Sequence, residues 1–198
     1  MDAKRLFDIF FSLIGIFFLL PVFLLVAILL KREHKGPVFY RQTRVGLNQK
    51  CFQLIKFRTM CPDADKMGLL TIGDHDARIT KVGCWLRKHK VDELPQLLNI
   101  LKGEMSFVGP RPEVLKYVEM YDSSQQRVLS VKPGITDWAS IKYIDESSLL
   151  ATAEDPESFY IHNVIPSKIS QNLEYIDHHN LWIDFKIISY TLKSILLK

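Results

Sequence analysis

Apolar residues are concentrated near the start of the chain. Residues 9–30 form a run of 22 positions without a charge, and the only breaks in its apolar character are Ser12, Gly15 and Pro21. At about 1.5 Å per residue, a straight helix of this length could cross a hydrocarbon core of roughly 30 Å. The run is too long for the core of a signal peptide, and no small-x-small cleavage site follows it. The pattern therefore predicts a membrane anchor over residues 1–35.

Two features of this run favour a re-entrant helix-break-helix over a simple span. Pro21 lies near the middle, where proline removes a backbone hydrogen bond and bends a helix. Basic residues flank both ends, namely Lys4, Arg5, Lys31, Arg32 and Lys35. The positive-inside rule therefore identifies no outside end, and a helix that enters, bends and returns would keep both flanks in the cytosol. A single span with a proline kink fits the pattern about equally well.

The rest of the chain, residues 36–198, predicts one cytosolic, membrane-associated domain of the α+β class in which helices dominate. Two β-rich runs, residues 38–40 and 52–55, surround a Gly46-Leu47-Asn48 turn and predict a short hairpin. A turn at residues 132–136 leads into a short extended run. Periodicity and start signals predict helices over 85–90, 92–101, from Pro112 onward, over 156–179 and over 181–197.

The last predicted helix, residues 181–197, is amphipathic. Its polar side carries Asp184 and Thr191, and its apolar side carries Trp182, Phe185, Ile188, Leu192 and Ile195. The Trp, Tyr and Lys content suits an amphipathic interfacial helix lying in the headgroup plane. The same pattern is equally typical of a helix packed on a protein core.

Composition and charge narrow the class of protein. A chain of 198 residues, 47% of them apolar, can bury one core. The formal charge of +4 is too small to argue for nucleic acid, but it suits a protein resting on anionic lipid. The three cysteines form no CxxC and the six histidines show no metal-ligand spacing, so neither a disulfide framework nor a zinc site is predicted. No glycine-rich phosphate loop is present.

The candidate chemistry centres on two adjacent acidic residues, Asp92 and Glu93, at the start of a predicted helix. Neighbouring helical residues point about 100° apart, so the two carboxylates cannot share one proton and would do different jobs. One interpretation is structural, in which Asp92 caps the helix. The other is catalytic, since a helix N-terminus also keeps a carboxylate deprotonated and nucleophilic. The two interpretations are compatible.

Three basic residues are candidates for phosphate contacts. Arg111 lies between Pro110 and Pro112, which restrict its backbone and direct a planar guanidinium suited to phosphate oxygens. Lys56 lies on the second predicted strand, and Arg87 precedes the acidic pair by five residues. Ordinary solvated side chains would explain these positions equally well.

The order of these pieces is more specific than any one of them. After the proline-bearing anchor come Lys56-Phe57-Arg58-Thr59-Met60, Arg87, Asp92-Glu93-Leu94-Pro95-Gln96, Ser106-Phe107-Val108-Gly109-Pro110-Arg111-Pro112 and Lys132-Pro133-Gly134-Ile135-Thr136. Over roughly residues 3–145 this order resembles the bacterial sugar transferase family. These are the monotopic phosphoglycosyl transferases, and the chain is similar to their minimal form. It departs from the family pattern at Leu20, where a serine commonly precedes the proline, and again after Thr136.

The resemblance implies an activity and a role for each candidate. Asp92 would attack the β-phosphorus of a UDP-sugar, releasing UMP, and polyprenyl phosphate would then take the sugar phosphate from the aspartate. Mg²⁺, with Asp92 as a ligand, would neutralise diphosphate charge, and Glu93 would orient the metal or the lipid phosphate. Lys56, Arg87 and Arg111 would contact phosphate oxygens. The implied location is the cytosolic face of the bacterial inner membrane.

Two other function classes remain consistent with these residues. One is a non-catalytic scaffold on the membrane surface, and the other is a membrane-anchored phosphohydrolase that passes the same intermediate to water. The implied partners are a UDP-sugar, polyprenyl phosphate and membrane lipids, with no nucleic acid. The sugar, the polyprenol length, the pathway and a homo-oligomeric state are left open.

Overall fold

The computed structural model describes residues 2–68, 70–73 and 76–197, and it begins with one long helix. Helix α1, Ala3–Glu33, continues through Pro21, so the predicted break of the helix at Pro21 is wrong. Among the described residues it is the one helix long and apolar enough to cross a membrane. Its outward face exposes large side chains such as Phe17, which is 74% exposed, while the polar Asp8 and Ser12 are buried. This arrangement is the reverse of a soluble amphipathic helix and leaves an apolar face for lipid.

Both ends of α1 are bound to the same globular body. Near the start, Arg5 donates hydrogen bonds to two carbonyls at the end of helix α3, Leu97–Lys102, at 2.5 and 2.9 Å. At the other end, Arg58 donates to the carbonyl oxygens of Leu30 and His34, both at 2.9 Å. These bonds join each end of α1 to the rest of the protein through carbonyls in the last turns of α1 and α3. The re-entrant path through a bilayer remains a prediction.

The predicted hairpin is confirmed. Strands β1, Phe39–Val45, and β2, Cys51–Phe57, pair antiparallel, with Phe39 opposite Phe57. The turn between them is a short 3-10 segment, Leu47–Gln49, in which Asn48 has a φ of 52°. Asparagine tolerates this left-handed conformation better than most residues, which explains why the chain can reverse direction here.

A buried amide fixes β2 to the helix that follows the acidic pair. The side chain of Asn99, on α3, accepts a hydrogen bond from the Ile55 backbone N–H at 3.0 Å. It also donates to the Gln53 carbonyl and to the Glu104 carboxylate, both at 2.7 Å. Asn99 is fully buried, so these bonds satisfy polar groups that water cannot reach. They hold β2 and α3 in a fixed relation.

The helices around the acidic pair differ in detail from the prediction. Helix α2 spans Lys81–Lys88, starting earlier than predicted because the Thr80 hydroxyl accepts a bond from the Gly83 N–H at 3.0 Å. The predicted helix over 92–101 is a 3-10 helix, Val91–Gln96, followed by α3. Pro95 lies inside the 3-10 part, where it has no N–H to close an α-helical hydrogen bond.

The segment around Arg111 is extended rather than helical. The prediction of a helix starting at Pro112 is wrong, because the Glu113 carbonyl instead accepts a hydrogen bond from Val45 at the end of β1. Helix α4, Leu115–Val118, begins three residues later.

A two-stranded parallel sheet lies beside this segment. Strand β3, Ser106–Val108, pairs with β4, Gly134–Thr136. The predicted position of the extended run is wrong, because the strand lies within residues 132–136 and a helix, Trp138–Lys142, follows it.

The C-terminal part is helical and carries the largest apolar core. The segment predicted as helix over 156–179 contains α7, a π-helical turn and α8, so that prediction is confirmed. The core packs side chains such as Tyr117, Tyr160 and Ile165 against each other. The elements of this part are α5 Trp138–Lys142, α6 Glu146–Ala151, α7 Pro156–Phe159, the π-helical turn Tyr160–Val164, α8 Ile165–His178 and α9 Leu181–Leu196.

Helix α9 points its predicted polar side inward. Asp184 is buried, where it pairs with Lys4 of α1 and accepts a hydrogen bond from the Tyr175 hydroxyl at 2.6 Å. Trp182, by contrast, is 79% exposed. Of the two interpretations of this helix, exposure of the apolar side favours the interfacial one.

Candidate active site

The predicted site residues lie around one cavity of about 590 Å³, a volume typical of small-molecule sites. They come from four different elements: β2, α2, the 3-10 helix and the extended segment before α4. The five predicted residues that line this cavity are Lys56, Arg87, Asp92, Glu93 and Arg111. The structure therefore brings together the whole predicted chemical set, while Pro21 lies apart on α1.

Asp92 is buried and partly unsatisfied. It lies in the first turn of the 3-10 helix, but the cap position is Lys90, so the interpretation of Asp92 as a helix cap is wrong. Its Oδ1 is buried and has no hydrogen-bond partner among the described residues. A buried carboxylate oxygen without a partner is costly, and it points to a ligand that supplies one.

The surroundings of Asp92 make its carboxylate more basic. Burial raises the pKa of Asp92, and the negative charge of Glu93 raises it further. The charges of Lys56, Lys90 and Arg87 act in the opposite direction but do not cancel the effect. An unpaired carboxylate with a raised pKa is well suited to nucleophilic attack once it is ionised.

Glu93 has the opposite environment. Its carboxylate accepts two hydrogen bonds from the Arg111 guanidinium, at 2.5 and 3.3 Å, and one from Lys56 Nζ at 3.0 Å. Burial alone would raise the pKa of Glu93, but the charges of Arg111 and Lys56 outweigh burial and hold it well below its usual value. Glu93 is therefore an ionised group that positions two cations, which agrees with the expectation that the two carboxylates do different jobs.

The cavity has an excess of positive charge around the acidic pair. Lys90 also lines the cavity, and the charge of Lys90 acts on both carboxylates. No sequence motif marks this residue. Its backbone is left-handed, with a φ of 56°, a conformation uncommon outside glycine. Four cations thus face two carboxylates, a set we term the charged end: Lys56, Arg87, Lys90, Asp92, Glu93 and Arg111. The surplus of two positive charges suits a diphosphate.

The backbone around Arg111 is held by a neighbouring carboxylate. Asp137 is buried, and its Oδ2 accepts a hydrogen bond from the Arg111 backbone N–H at 3.2 Å. Its Oδ1 accepts from the Ser140 N–H and so caps α5. In the sequence, the rigidity of this segment is predicted from its prolines alone. Asp137 adds a fixed point that no local pattern indicated.

Two glycines allow the segment before Arg111 to pack against β4. The Gly134 N–H donates to the Pro110 carbonyl at 3.0 Å, and the Gly109 N–H donates to the Thr136 carbonyl at 3.1 Å. A side chain at Gly134 would place its Cβ 2.2 Å from the Gly109 nitrogen. Backbone cannot move out of the way as a side chain can, so glycine is required there.

We expect Gly134→Ala to lower the melting temperature by roughly 3–10 °C, because overpacking costs about 1–3 kcal/mol. Displacement of Arg111 should also impair catalysis. The matched control is Gly15→Ala, whose Cβ would meet only the far end of the Leu97 side chain, at 3.1 Å. Thermal unfolding in detergent measures both variants. Equal melting temperatures for the two would contradict the proposed role of the glycine contact.

The residues present fit a Mg²⁺ ion only together with a phosphorylated substrate. Among the described residues, no group of three or more His, Cys, Asp and Glu side chains could hold a metal. Glu93 is already occupied by two cations, which leaves the unpartnered oxygen of Asp92. Mg²⁺ commonly binds through one or two carboxylates, waters and substrate phosphates. The site therefore fits a metal that arrives with the substrate.

The chain is similar to known proteins of one family. Residues 1–198 match the family described as bacterial sugar transferase. A UDP-N-acetylgalactosamine-undecaprenyl-phosphate N-acetylgalactosaminephosphotransferase of Aeromonas hydrophila is 37% identical over 196 residues, which cover 98% of this chain and 43% of that protein. An uncharacterized sugar transferase of Bacillus subtilis, EpsL, is 36% identical over 197 residues, which cover 100% of this chain and 89% of that protein.

A third relative has the same partial overlap as the first. The UDP-glucose:undecaprenyl-phosphate glucose-1-phosphate transferase of Escherichia coli is 35% identical over 193 residues, covering 96% of this chain and 39% of that protein. The chain thus spans about two fifths of the length of the Aeromonas and Escherichia relatives, and most of the length of the Bacillus one. Since the family match covers every residue, the chain belongs to the bacterial sugar transferase family.

Proposed function

We propose that this protein transfers a sugar-1-phosphate from a UDP-sugar to polyprenyl phosphate, giving polyprenyl diphosphate-sugar and UMP. Undecaprenyl phosphate is the acceptor named for several relatives. The observation that carries the proposal is the unpartnered, buried carboxylate oxygen of Asp92 beside a surplus of positive charge. A nucleophile placed among phosphate-binding cations is what transfer through a covalent intermediate requires.

The reaction proceeds in two displacements at one phosphorus atom. A carboxylate oxygen of Asp92 forms a bond to the β-phosphorus, and the bond from that phosphorus to the bridging oxygen breaks, so UMP leaves with the electron pair. An oxygen of polyprenyl phosphate then attacks the same phosphorus. The bond to Asp92 breaks, and the carboxylate is restored. Each step exchanges one phosphorus–oxygen bond for another.

The cations of the charged end neutralise phosphoryl oxygens in both steps. Arg111 presents a planar guanidinium that suits two phosphate oxygens, and Lys56 and Arg87 act as further charges. Glu93 acts as a positioning residue that holds Arg111 and Lys56 beside Asp92. A bound Mg²⁺ would supply additional charge neutralisation on the diphosphate, with Asp92 as its protein ligand.

The apolar face of α1 is proposed to enter the cytosolic leaflet of the bacterial inner membrane. Arg5 and Leu30, near opposite ends of the helix, both contact the same polar domain. A polar domain cannot extend through the bilayer core, so both ends of α1 lie on its side of the membrane. This supports the re-entrant path over a full span. It also brings the active site to the depth of the acceptor's phosphate.

We expect cysteines at Ala3 and Lys35, introduced one at a time into a variant lacking Cys51, Cys61 and Cys84, to resist a membrane-impermeant thiol reagent on intact cells. Both positions are exposed on the protein, so each should react once the cells are opened. Protection of both sites places both ends of α1 in the cytosol. Labelling at Ala3 alone in intact cells would instead establish a straight span with the N-terminus outside.

Release of UMP from a panel of UDP-sugars tests the activity against its two alternatives. The proposed function predicts release that continues over many turnovers only when polyprenyl phosphate is present. Sustained release without that lipid would identify a phosphohydrolase. Absence of release from every donor would leave the non-catalytic scaffold.

A further inference from the structure

A second part of the cavity lining is built differently from the charged end. It is formed by α5, α6, the π-helical turn and α8. Five of its lining residues define what we term the neutral end: Ser140, Tyr143, Glu146, Tyr160 and Lys168. These residues take no part in the proposed phosphoryl transfer.

Charges at the neutral end are internally paired. Lys168 forms a salt bridge with Glu146, and both side chains are partly buried. The Tyr160 hydroxyl donates a hydrogen bond to Glu113, which in turn pairs with Arg44. Each cation here has a carboxylate partner, in contrast to the surplus at the charged end. A neutral but polar surface favours an uncharged polar group over a phosphate.

The tyrosine rings at this end are already occupied. The Lys168 ammonium lies 5.1 Å from the ring centroid of Tyr160 and 5.9 Å from that of Tyr143. Each such cation–π contact covers one face of a ring that could otherwise stack on a flat base. The groups offered to a ligand are therefore the carboxylate, the ammonium and the hydroxyls. Donors and acceptors mixed in this way match the hydroxyl groups of a sugar.

One hydroxyl at this end lacks a partner. Ser140 Oγ is buried and makes no hydrogen bond with any described residue, although its residue lines the cavity. Ser140 lies on α5, three residues before Tyr143 and therefore on the same helical face. A buried hydroxyl without a partner is costly unless a ligand completes its hydrogen bonding.

The neutral end lies next to the phosphate contacts. The charge of Glu93 is the largest cause that raises the pKa of Arg111, and the charge of Glu146 also raises it. The Asp137 carboxylate accepts hydrogen bonds from the backbone N–H groups of both Arg111 and Ser140, so Ser140 of the neutral end is held beside Arg111. In a UDP-sugar the sugar is attached directly to the β-phosphate that Asp92 attacks. A sugar bound at the neutral end would therefore lie next to the phosphate that Arg111 contacts.

We propose that the neutral end binds the sugar of the UDP-sugar donor, and that Glu146, Lys168 and Ser140 determine which sugars are accepted. This inference rests on the proposed function. A site that hydrogen-bonds the hydroxyls of one sugar discriminates strongly against a sugar that leaves those groups unpaired. Glu146 and Lys168 thereby determine which UDP-sugar binds. The uridine of the donor lies elsewhere in the cavity.

The experiment compares Glu146→Gln and Ser140→Ala with the wild-type protein. UMP release gives KM and kcat for UDP-glucose, UDP-galactose and their N-acetylamino forms, and UMP itself is tested as an inhibitor. We expect each variant to raise KM for the preferred donor about tenfold, with altered ranking among donors. The inhibition constant of UMP, which lacks the sugar, should change less than about twofold. Glu157→Gln is the matched control, since Glu157 pairs with Lys116 on the exposed surface.

Each outcome decides between the possible occupants. If UMP binding weakens by the same factor as donor binding, the neutral end binds the nucleoside and the inference is wrong. Unchanged KM values and donor ranking in both variants would also overturn it. If the wild-type protein releases no UMP from any donor, the proposed function itself fails, an outcome distinct from the other two.

Discussion

Replacing Asp92 by asparagine is expected to reduce UMP release by roughly a thousandfold or more, since the substitution removes the nucleophile itself. Asparagine has nearly the same shape, but its amide is a very weak nucleophile. The protein should remain folded. Burial raises the pKa of Asp92, so above the unfolded-state pKa its ionised form destabilises the folded state. The neutral amide removes that penalty, and the melting temperature should stay equal or rise.

Steady-state UMP release, membrane association and thermal unfolding of the same preparation test this expectation. Asp177→Asn is the matched control. Asp177 forms an exposed ion pair with Arg127, and neither residue is among those that line the cavity. Retention of more than a few per cent of wild-type turnover by Asp92→Asn would exclude Asp92 as the covalent residue.

The second large effect is expected at Arg111. Arg111→Ala should lower kcat/KM about a hundredfold, or about 2.7 kcal/mol of transition-state stabilisation. The substitution removes the proposed phosphate contact, and among the described residues it leaves the buried Glu93 paired with Lys56 alone. Arg111→Lys keeps the positive charge but loses the planar guanidinium. The activity of this variant should therefore lie between those of Arg111→Ala and the wild-type protein.

The control for this series is Arg127→Ala, which removes an arginine from an exposed ion pair. Kinetics with a saturating acceptor separate effects on kcat from those on KM. Near-normal values for both Arg111 variants would mean that this side chain is merely solvated at the mouth of the cavity.

The chemical core of the site could be predicted because it lies in short local motifs. Asp92 and Glu93 are adjacent in sequence, and Arg111 is marked by its two prolines. The distinct roles of the carboxylates follow from helix geometry and are supported by their opposite pKa shifts. The hairpin that carries Lys56 could also be predicted from the sequence, because a turn signal separates two β-rich runs.

Other residues could not be predicted because tertiary packing alone brings them to the site. Ser140 and Lys168 belong to different helices and show no motif that links them to Asp92. Asp184 lies on the polar side of its helix, and the sequence does not show that this side faces inward, where Asp184 contacts Lys4 and Tyr175. A helical pattern gives the angle between polar and apolar sides, but not which side meets the core. When the outer medium is lipid, the usual assignment reverses.

The prediction of a helix starting at Pro112 was wrong for a related reason. Proline suits a first helical turn, but it suits an extended segment equally well. A hydrogen bond between Val45 and Glu113 selects the extended form. That contact joins residues far apart in sequence, and no local signal records it.

Intact-protein mass spectrometry tests the covalent mechanism most directly. Wild-type protein incubated with its UDP-sugar, without polyprenyl phosphate, should gain the mass of one sugar phosphate. Peptide mapping should place that mass on Asp92, and added polyprenyl phosphate should remove it. Asp92→Asn should gain no mass. If the wild-type protein turns over with both substrates but never carries the adduct, even after rapid quenching, transfer is direct and the covalent account is contradicted.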